Sequence, residues 1–259
     1  MSSNKDSIGN TIKTAFLVCL ACSIVVSFSA IALRPIQDVN KVREVKKNIL
    51  AAAGLFDETK TVEEQFGVIK TRIVDLRTGK YATDMDVDSY DQRKASKDPS
   101  QSEKLTASDD IAGIKRVENY AKVYAVENNG QLETLILPVR GYGLWSTLWG
   151  FVALESDLNT VVGLGFYEHA ETPGLGGEVD NPRWKAMWPG KQVFNTDGDV
   201  AVYIKKGSVD SSIAAEKTHA IDGLSGATLT SNGVNNLIEF WLGDDGFSPF
   251  LKNLKAGGA

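Results

Sequence analysis

The residues best suited to chemistry lie near the C-terminus, in Asp222-Gly-Leu-Ser225-Gly226-Ala227-Thr228-Leu-Thr230-Ser231. Small residues surround several hydroxyls, and a helical pattern opens directly after them. Val234, Leu237, Ile238, Trp241 and Leu242 follow the i, i+3, i+4, i+7, i+8 spacing of one apolar helix face, and Gly243 suits its C-terminal stop. Thr228, Thr230 and Ser231 therefore gather at or just before a helix N-terminus. Unpaired N–H groups and the positive end of the helix dipole favour an anion there, phosphate especially. Ser and Thr also cap helices with no further role. Residue types alone choose neither between these readings nor among the three hydroxyls.

Other stretches carry glycine, aromatic or titratable residues. The glycines of Gly141-Tyr-Gly143-Leu144-Trp145-Ser-Thr-Leu-Trp149-Gly150 let backbone approach a flat group, but on its own the stretch reads as a tight turn with Trp145 and Trp149 buried. Glu168-His169-Ala-Glu171-Thr172-Pro173-Gly174-Leu175-Gly176-Gly177 lacks the Gly-Lys-Ser/Thr of a phosphate loop, and His169 between two glutamates suits either acid–base work or a solvated loop. Lys205-Lys206 follows a strand-like run and faces either a phosphate or water. Gly163-Leu-Gly165 lacks the third glycine and the strand-to-helix setting of a dinucleotide fingerprint. Asp84-x-Asp86-x-Asp88 begins like a calcium loop, yet Ser89 and Ala95 stand where Gly and Glu are required, so a solvated acidic face is expected. Cys19 and Cys22 share one apolar run, and His169 and His219 are the only histidines, which argues against a disulfide scaffold or a Cys/His metal site. A net charge of −5 gives no electrostatic footprint for nucleic acid.

The elements that must position these residues begin with residues 15–33, an uncharged run between Lys13 and Arg34. At ~1.5 Å per residue it covers about 28 Å, close to a bilayer's hydrocarbon thickness. Ala30-Ile31-Ala32 resembles a signal cleavage site, but signal apolar regions run only ~7–15 residues, so a retained anchor is expected. Residues 1–14 then form an N-terminal tail, cytoplasmic if the large domain lies on the far side of the membrane. Residues 34–54 form an amphipathic connecting helix bearing Val39, Val42, Val45, Ile49 and Leu50, and residues 55–259 form the large domain. Lys5 and Lys13 precede the span while Arg34, Lys41, Arg43, Lys46 and Lys47 follow it, so charge counting alone puts that domain in the cytoplasm. Within it, 66–76 reads as a strand and the polar stretch 83–110 as a surface insertion. Asn129-Gly130 between 121–127 and 132–139 predicts a hairpin, and 150–154 with 160–167 predicts another. Residues 200–205 predict one more strand, 181–187 a short helix, and Ser248-Pro249 the start of a last one. Hairpins without repeated βαβ units make the fold class α+β: one transmembrane helix, then one β-rich domain with flanking helices.

Asp222-x-x-Ser225-Gly226-Ala227-Thr228 resembles the covalent flavin attachment motif of FMN-binding domains in respiratory membrane complexes. Together with the N-terminal span, Gly141-Tyr-Gly143-Leu144-Trp145-Ser and His169-x-Glu171-Thr172-Pro173-Gly174-Leu175-Gly176, in this order, it makes the whole chain similar to the C subunits of sodium-translocating NADH:quinone oxidoreductases. The resemblance implies FMN bound covalently through its phosphate to Thr228. A separate flavin transferase, using FAD and magnesium outside the cytoplasm, would make the bond. That outweighs the charge count and sets the domain on the periplasmic side of the inner membrane. By the same resemblance Leu144, Trp145, Thr172 and Leu175 line the isoalloxazine ring, and Gly226 and Ala227 give the transferase access. Asp222 and Ser225 shape the loop or engage the transferase, and Thr230 and Lys206 join the cofactor-binding set. The implied role is that of an electron relay among other subunits, with no metal, no NADH site and no proton-transfer residue of its own. Two alternatives remain at this point. One is the flavinylated subunit of the related ion-translocating ferredoxin:NAD oxidoreductase. The other is a non-redox exported binding or assembly module in which Thr228 merely caps a helix.

Overall fold

The computed structural model describes residues 7–259, so residues 1–6 of the expected tail lie outside the described residues. The chain divides into two compact units, Met1–Glu44 and Val45–Ala259. Helix α1 (Ile8–Ala52) carries an 18-residue window of mean hydropathy 2.6 and is long and apolar enough to cross a membrane. Two hydroxyls inside its apolar run bond back one turn, Ser23 Oγ to the Cys19 carbonyl at 2.7 Å and Ser29 Oγ to that of Val25 at 2.8 Å. The sequence pattern separates a membrane helix from a connecting helix near Pro35, whereas the structure runs one helix through it. Proline removes a single N–H from the ladder, and here that loss does not end the helix.

In the second unit, the end of α1 leads to α2 (Val62–Phe66), which opens on a reciprocal Thr61/Glu64 capping box. Then come β1 (Ile69–Asp75), β2 (Lys80–Tyr81), α3 (Gln92–Ala95), β3 (Ser102–Lys104) and β4 (Arg116–Glu118). The long strands follow: β5 (Tyr120–Asn128), β6 (Gln131–Tyr142), β7 (Thr147–Glu155) and β8 (Val161–Glu168). After a 3-10 turn at Gly176–Asp180 come α4 (Pro182–Lys185), β9 (Tyr203–Lys205), α5 (Ala214–His219), β10 (Ala220–Asp222), α6 (Thr228–Leu242) and α7 (Ser248–Lys255).

Six strands form one antiparallel sheet in the order β2-β1-β5-β6-β7-β8. The β5–β6 hairpin turns on Asn129 and Gly130, at φ 50° and 81°, the positive pair that a two-residue turn of matching twist demands. Alternation along β6 and β7 sends side chains to two cores. Leu135, Leu137, Val139, Val152 and Leu154 enter the larger cluster with α6, while Ile136, Phe151 and Ala153 pack with Ile49, Leu50 and Ala52 from the end of α1. Both faces of the central strands are thus covered, which is why β7 reads as a nearly continuous apolar run.

Residues 83–110, polar in sequence, are tied to the sheet. Tyr90 donates to the Tyr120 carbonyl at 2.6 Å, Gln92 to Glu118 at 2.7 Å, and Arg93 makes a two-pronged pair with Glu168. Arg93 also lies 4.1 Å from the centre of the Trp149 ring. On the same stretch of sheet, Arg140 and Glu118 form a buried pair at 2.6 Å.

This topology gathers three loops at one end. The β6–β7 hairpin leaves residues 143–146 as its tip, and pairing of Trp149 with Glu168 brings the exit of β8 beside it. Helix α6, packed on β6 through Leu237, carries its own N-terminus to the same place.

Candidate functional site

The centre of this end is a carboxylate. Glu171 is 5% exposed and accepts hydrogen bonds from the backbone N–H groups of Leu144, Trp145 and Ser146, the closest being Trp145 at 2.9 Å. Its second oxygen accepts from the Thr230 hydroxyl at 2.7 Å, and Thr230 is itself fully buried. Burial would raise the Glu171 pKa, but donation from Trp145, Thr230, Leu144 and Ser146 outweighs it and holds the carboxyl below the ordinary glutamate value. One ionised side chain therefore joins the hairpin tip, the loop after β8 and the first turn of α6. Gly176 is required by the same contact, since a Cβ there would strike the Thr230 hydroxyl and come within 2.8 Å of the carboxylate.

The inward donation at the hairpin tip leaves the Leu144 and Trp145 side chains facing solvent, 38% and 65% exposed. The expectation from their own stretch, a turn with both tryptophans buried, fails: Trp145 is exposed for that reason and Trp149 is only half-buried. Leu175, 44% exposed, stands on the neighbouring loop, and a Cβ built on Gly226 would lie 3.0 Å from its Cδ2. Thr172 is exposed, and its carbonyl closes that loop by accepting from the N–H groups of Leu175 and Gly177. Leu229 adds a fourth exposed apolar side chain, one that no sequence motif singles out.

The hydroxyls that are interchangeable in sequence are distinct in space. Thr230 is engaged by Glu171, and buried Ser231 accepts from the Leu224 N–H at 3.1 Å. Thr228 is exposed and is the first residue of α6. Capping does not explain the cluster, because the cap position is Ala227 and no side chain caps this helix. The α6 start thus has no side-chain cap from Ala227 beside Thr228, and the Glu171 carboxylate meets the same turn through Thr230. Gly226, at φ 72°, makes the turn into it, and Ser225 is exposed next door.

The remaining candidates sit around this centre. The Asp222 carboxylate accepts from the Val209 N–H at 2.7 Å and its carbonyl accepts from Trp184 Nε1, so it braces the loop leading to the site. Lys205 is occupied by Glu216 at 2.6 Å, whereas Lys206 is exposed beside Gly207, whose carbonyl accepts from the Gly223 N–H. His169 Nε2 lies 2.7 Å from Asp180, and in the neutral ring Nδ1 accepts from the Glu171 N–H at 3.2 Å. The Asp180 hydrogen bond raises the His169 pKa. Both ring nitrogens are therefore used in holding the loop. No group of three or more His, Cys, Asp or Glu able to hold a metal occurs among the described residues.

A flat, largely apolar group bearing a phosphate fits these features: exposed apolar side chains on three loops, an uncapped helix start and one exposed lysine. Residues 143–243 match the FMN-binding domain family, a span that opens at the hairpin tip and closes just after α6. Over 99% of its length the chain is 54% identical to the C subunit of the Na(+)-translocating NADH-quinone reductase of Pseudomonas aeruginosa, covering 99% of that protein too. It is 48% identical to the corresponding protein of Vibrio anguillarum, over 100% of this chain and 99% of that one. The chain belongs to the NqrC family, the C subunits of Na(+)-translocating NADH-quinone reductases. The fold agrees: NqrC of Shewanella oneidensis superposes with a TM-score of 0.77 at 38% identity, over 84% of this chain and 99% of that one. The relative from Parabacteroides distasonis gives 0.65 at 26% identity, over 85% and 96%. As a member of the NqrC family this chain is an oxidoreductase component with an FMN-binding domain, and its three convergent loops lie inside the matched span.

Proposed function

We propose that this chain is the membrane-anchored electron relay of a sodium-pumping NADH:quinone reductase, carrying FMN covalently on Thr228. The observation that carries the assignment is the division of labour among the hydroxyls: Thr230 and Ser231 are buried and engaged, while Thr228 is exposed at an uncapped helix start. In the attachment step a flavin transferase brings FAD. Thr228 Oγ bonds to the phosphorus on the flavin side, the pyrophosphate P–O bond breaks, AMP leaves, and the hydroxyl proton passes to solvent. The product phosphodiester keeps one negative charge, worth about 0.3–1 kcal/mol at the α6 dipole, and exposed Lys206, on the loop that Gly207 ties to Gly223, is the cation we assign to it.

The bound flavin supplies the redox chemistry. Leu144, Trp145, Thr172 and Leu175 are the side chains that would line its ring and keep water from it. Asp222 braces the approach to the motif, and Ser225 with Gly226 and Ala227 leaves room for the transferase. The family's name supports the assembly with further subunits, the sodium coupling and the location in a membrane. We place the large domain outside the cytoplasm because attachment is made there in this family.

The full chain made together with a flavin transferase should give a fluorescent band in a denaturing gel under ultraviolet light. Thr228→Val should remove the band and leave the melting transition in place. A band that survives in Thr228→Val would move the linkage to another hydroxyl. No band in the unsubstituted chain, with the transferase active on a second substrate, would end the covalent reading.

A further inference from the structure

Glu171 joins three loops, and its charge has a consequence of its own. Successive N–H groups at residues 144–146 form a concave anion nest at the hairpin tip, directly behind the exposed Leu144 and Trp145 side chains. Glu171 fills that nest from inside, and among the described residues every donor to its carboxylate is a neutral N–H or hydroxyl, His169 being the titratable neighbour that feels its charge. A full negative charge is thereby fixed behind the wall, 5% exposed and poorly screened by solvent.

We infer that Glu171 is a positioning residue whose fixed negative charge behind the Leu144–Trp145 wall lowers the reduction potential of a flavin held there. The inference rests on the flavin reading above. An added electron on the ring meets the carboxylate's field in a low-dielectric setting, so the oxidised form is favoured. The nest also has no free donors, so it does not stabilise the reduced ring by hydrogen bonding. The two effects have the same sign, and both come from one side chain.

Glu171→Gln separates charge from shape. The amide oxygen can accept from the three N–H groups, and the amide nitrogen can donate to Thr230, whose hydroxyl then turns to accept. The full chain, co-expressed with the transferase and purified in detergent, is titrated spectroelectrochemically. The expected result is a more positive flavin potential, by roughly tenfold in the one-electron equilibrium, or about 59 mV. Thr230→Val gives the opposite sign. It keeps the charge and removes one of the bonds that disperse it, so the potential should fall, by about twofold in the same equilibrium. Should Glu171→Gln fail to fold, the Thr230→Val shift alone decides. An unchanged potential in Glu171→Gln with its fluorescent band intact overturns the inference, as does a rise in Thr230→Val. Absence of the band from the unsubstituted chain is a failure of the covalent reading instead, and the gel identifies it before any potential is measured.

Discussion

Thr228, Thr230 and Ser231 are chemically near-equivalent, and burial alone gives them different work. Glu171 shows the converse: a sequence neighbour of His169 that suggests proton transfer is an anchor whose carboxyl four hydrogen-bond donors hold below the ordinary glutamate value despite its burial. Nothing in Glu171-Thr-Pro-Gly announces this, because its donors lie 25 to 27 and 59 residues away in the chain. His169 offers a pH prediction at this scale. Its pKa is raised above 6.5, chiefly by the Asp180 hydrogen bond, so its stabilising effect is complete below pH 6.5 and fades as pH climbs through the raised value. Asp180 is held below 3.8: burial opposes this, but the His169 hydrogen bond, followed by Lys185, overcomes it, so its share is present above pH 3.8 and lost on acidification through the lowered value. Asp180→Asn should therefore lower the melting temperature most near pH 5.5 and less at pH 9. The gap should stay open at pH 9 because Lys185, 3.3 Å from Asp180, remains charged. With Asp180 about half exposed, the effect should stay under about 1 kcal/mol. Melting curves of both proteins across that range check it.

Among the elements, those with a clear period are legible from the amino-acid sequence alone. The apolar stripe from Val234 to Leu242 is the buried face of α6, and Asn129-Gly130 is the hairpin turn. The elements that escape such reading do so for physical reasons. Strand β9 falls within the run expected at 200–205, but its parallel partner β10 is three residues long, too short to display alternation, and α5 is six residues without a buried side chain. Pro35 signals a break that the helix does not make, since one lost N–H is a local cost that the rest of a 45-residue helix absorbs. The candidate flavin-facing residues are legible only through the family pattern. The exposure of Leu144 and Trp145 follows from backbone donation to Glu171, which no local rule encodes. The weight carried by α6 is testable: Leu237 is 0% exposed, so Leu237→Ala should destabilise the domain by about 2–5 kcal/mol in a denaturant melt. A loss under about 1 kcal/mol would mean that the α6–sheet packing is looser than the burial of Leu237 implies.

For the whole molecule, the decisive quantity is sidedness, where the charge count and the attachment chemistry give opposite answers. A reporter enzyme that is active only outside the cytoplasm, fused after Ala259, should be active. An inactive reporter, with the fusion intact in the membrane fraction, would return the domain to the cytoplasm and remove its access to the transferase. The Glu171 anchor also bears on how such a protein is made. All of its donors come from the chain itself, so the arrangement asks nothing of the cofactor in order to form. On the proposed reading, with the domain exported and flavin attached there, folding can run to completion without flavin, and loading becomes a late edit to a finished surface. A cell short of flavin would then accumulate an intact, unlabelled stock that can be charged afterwards, with no need to degrade and rebuild it.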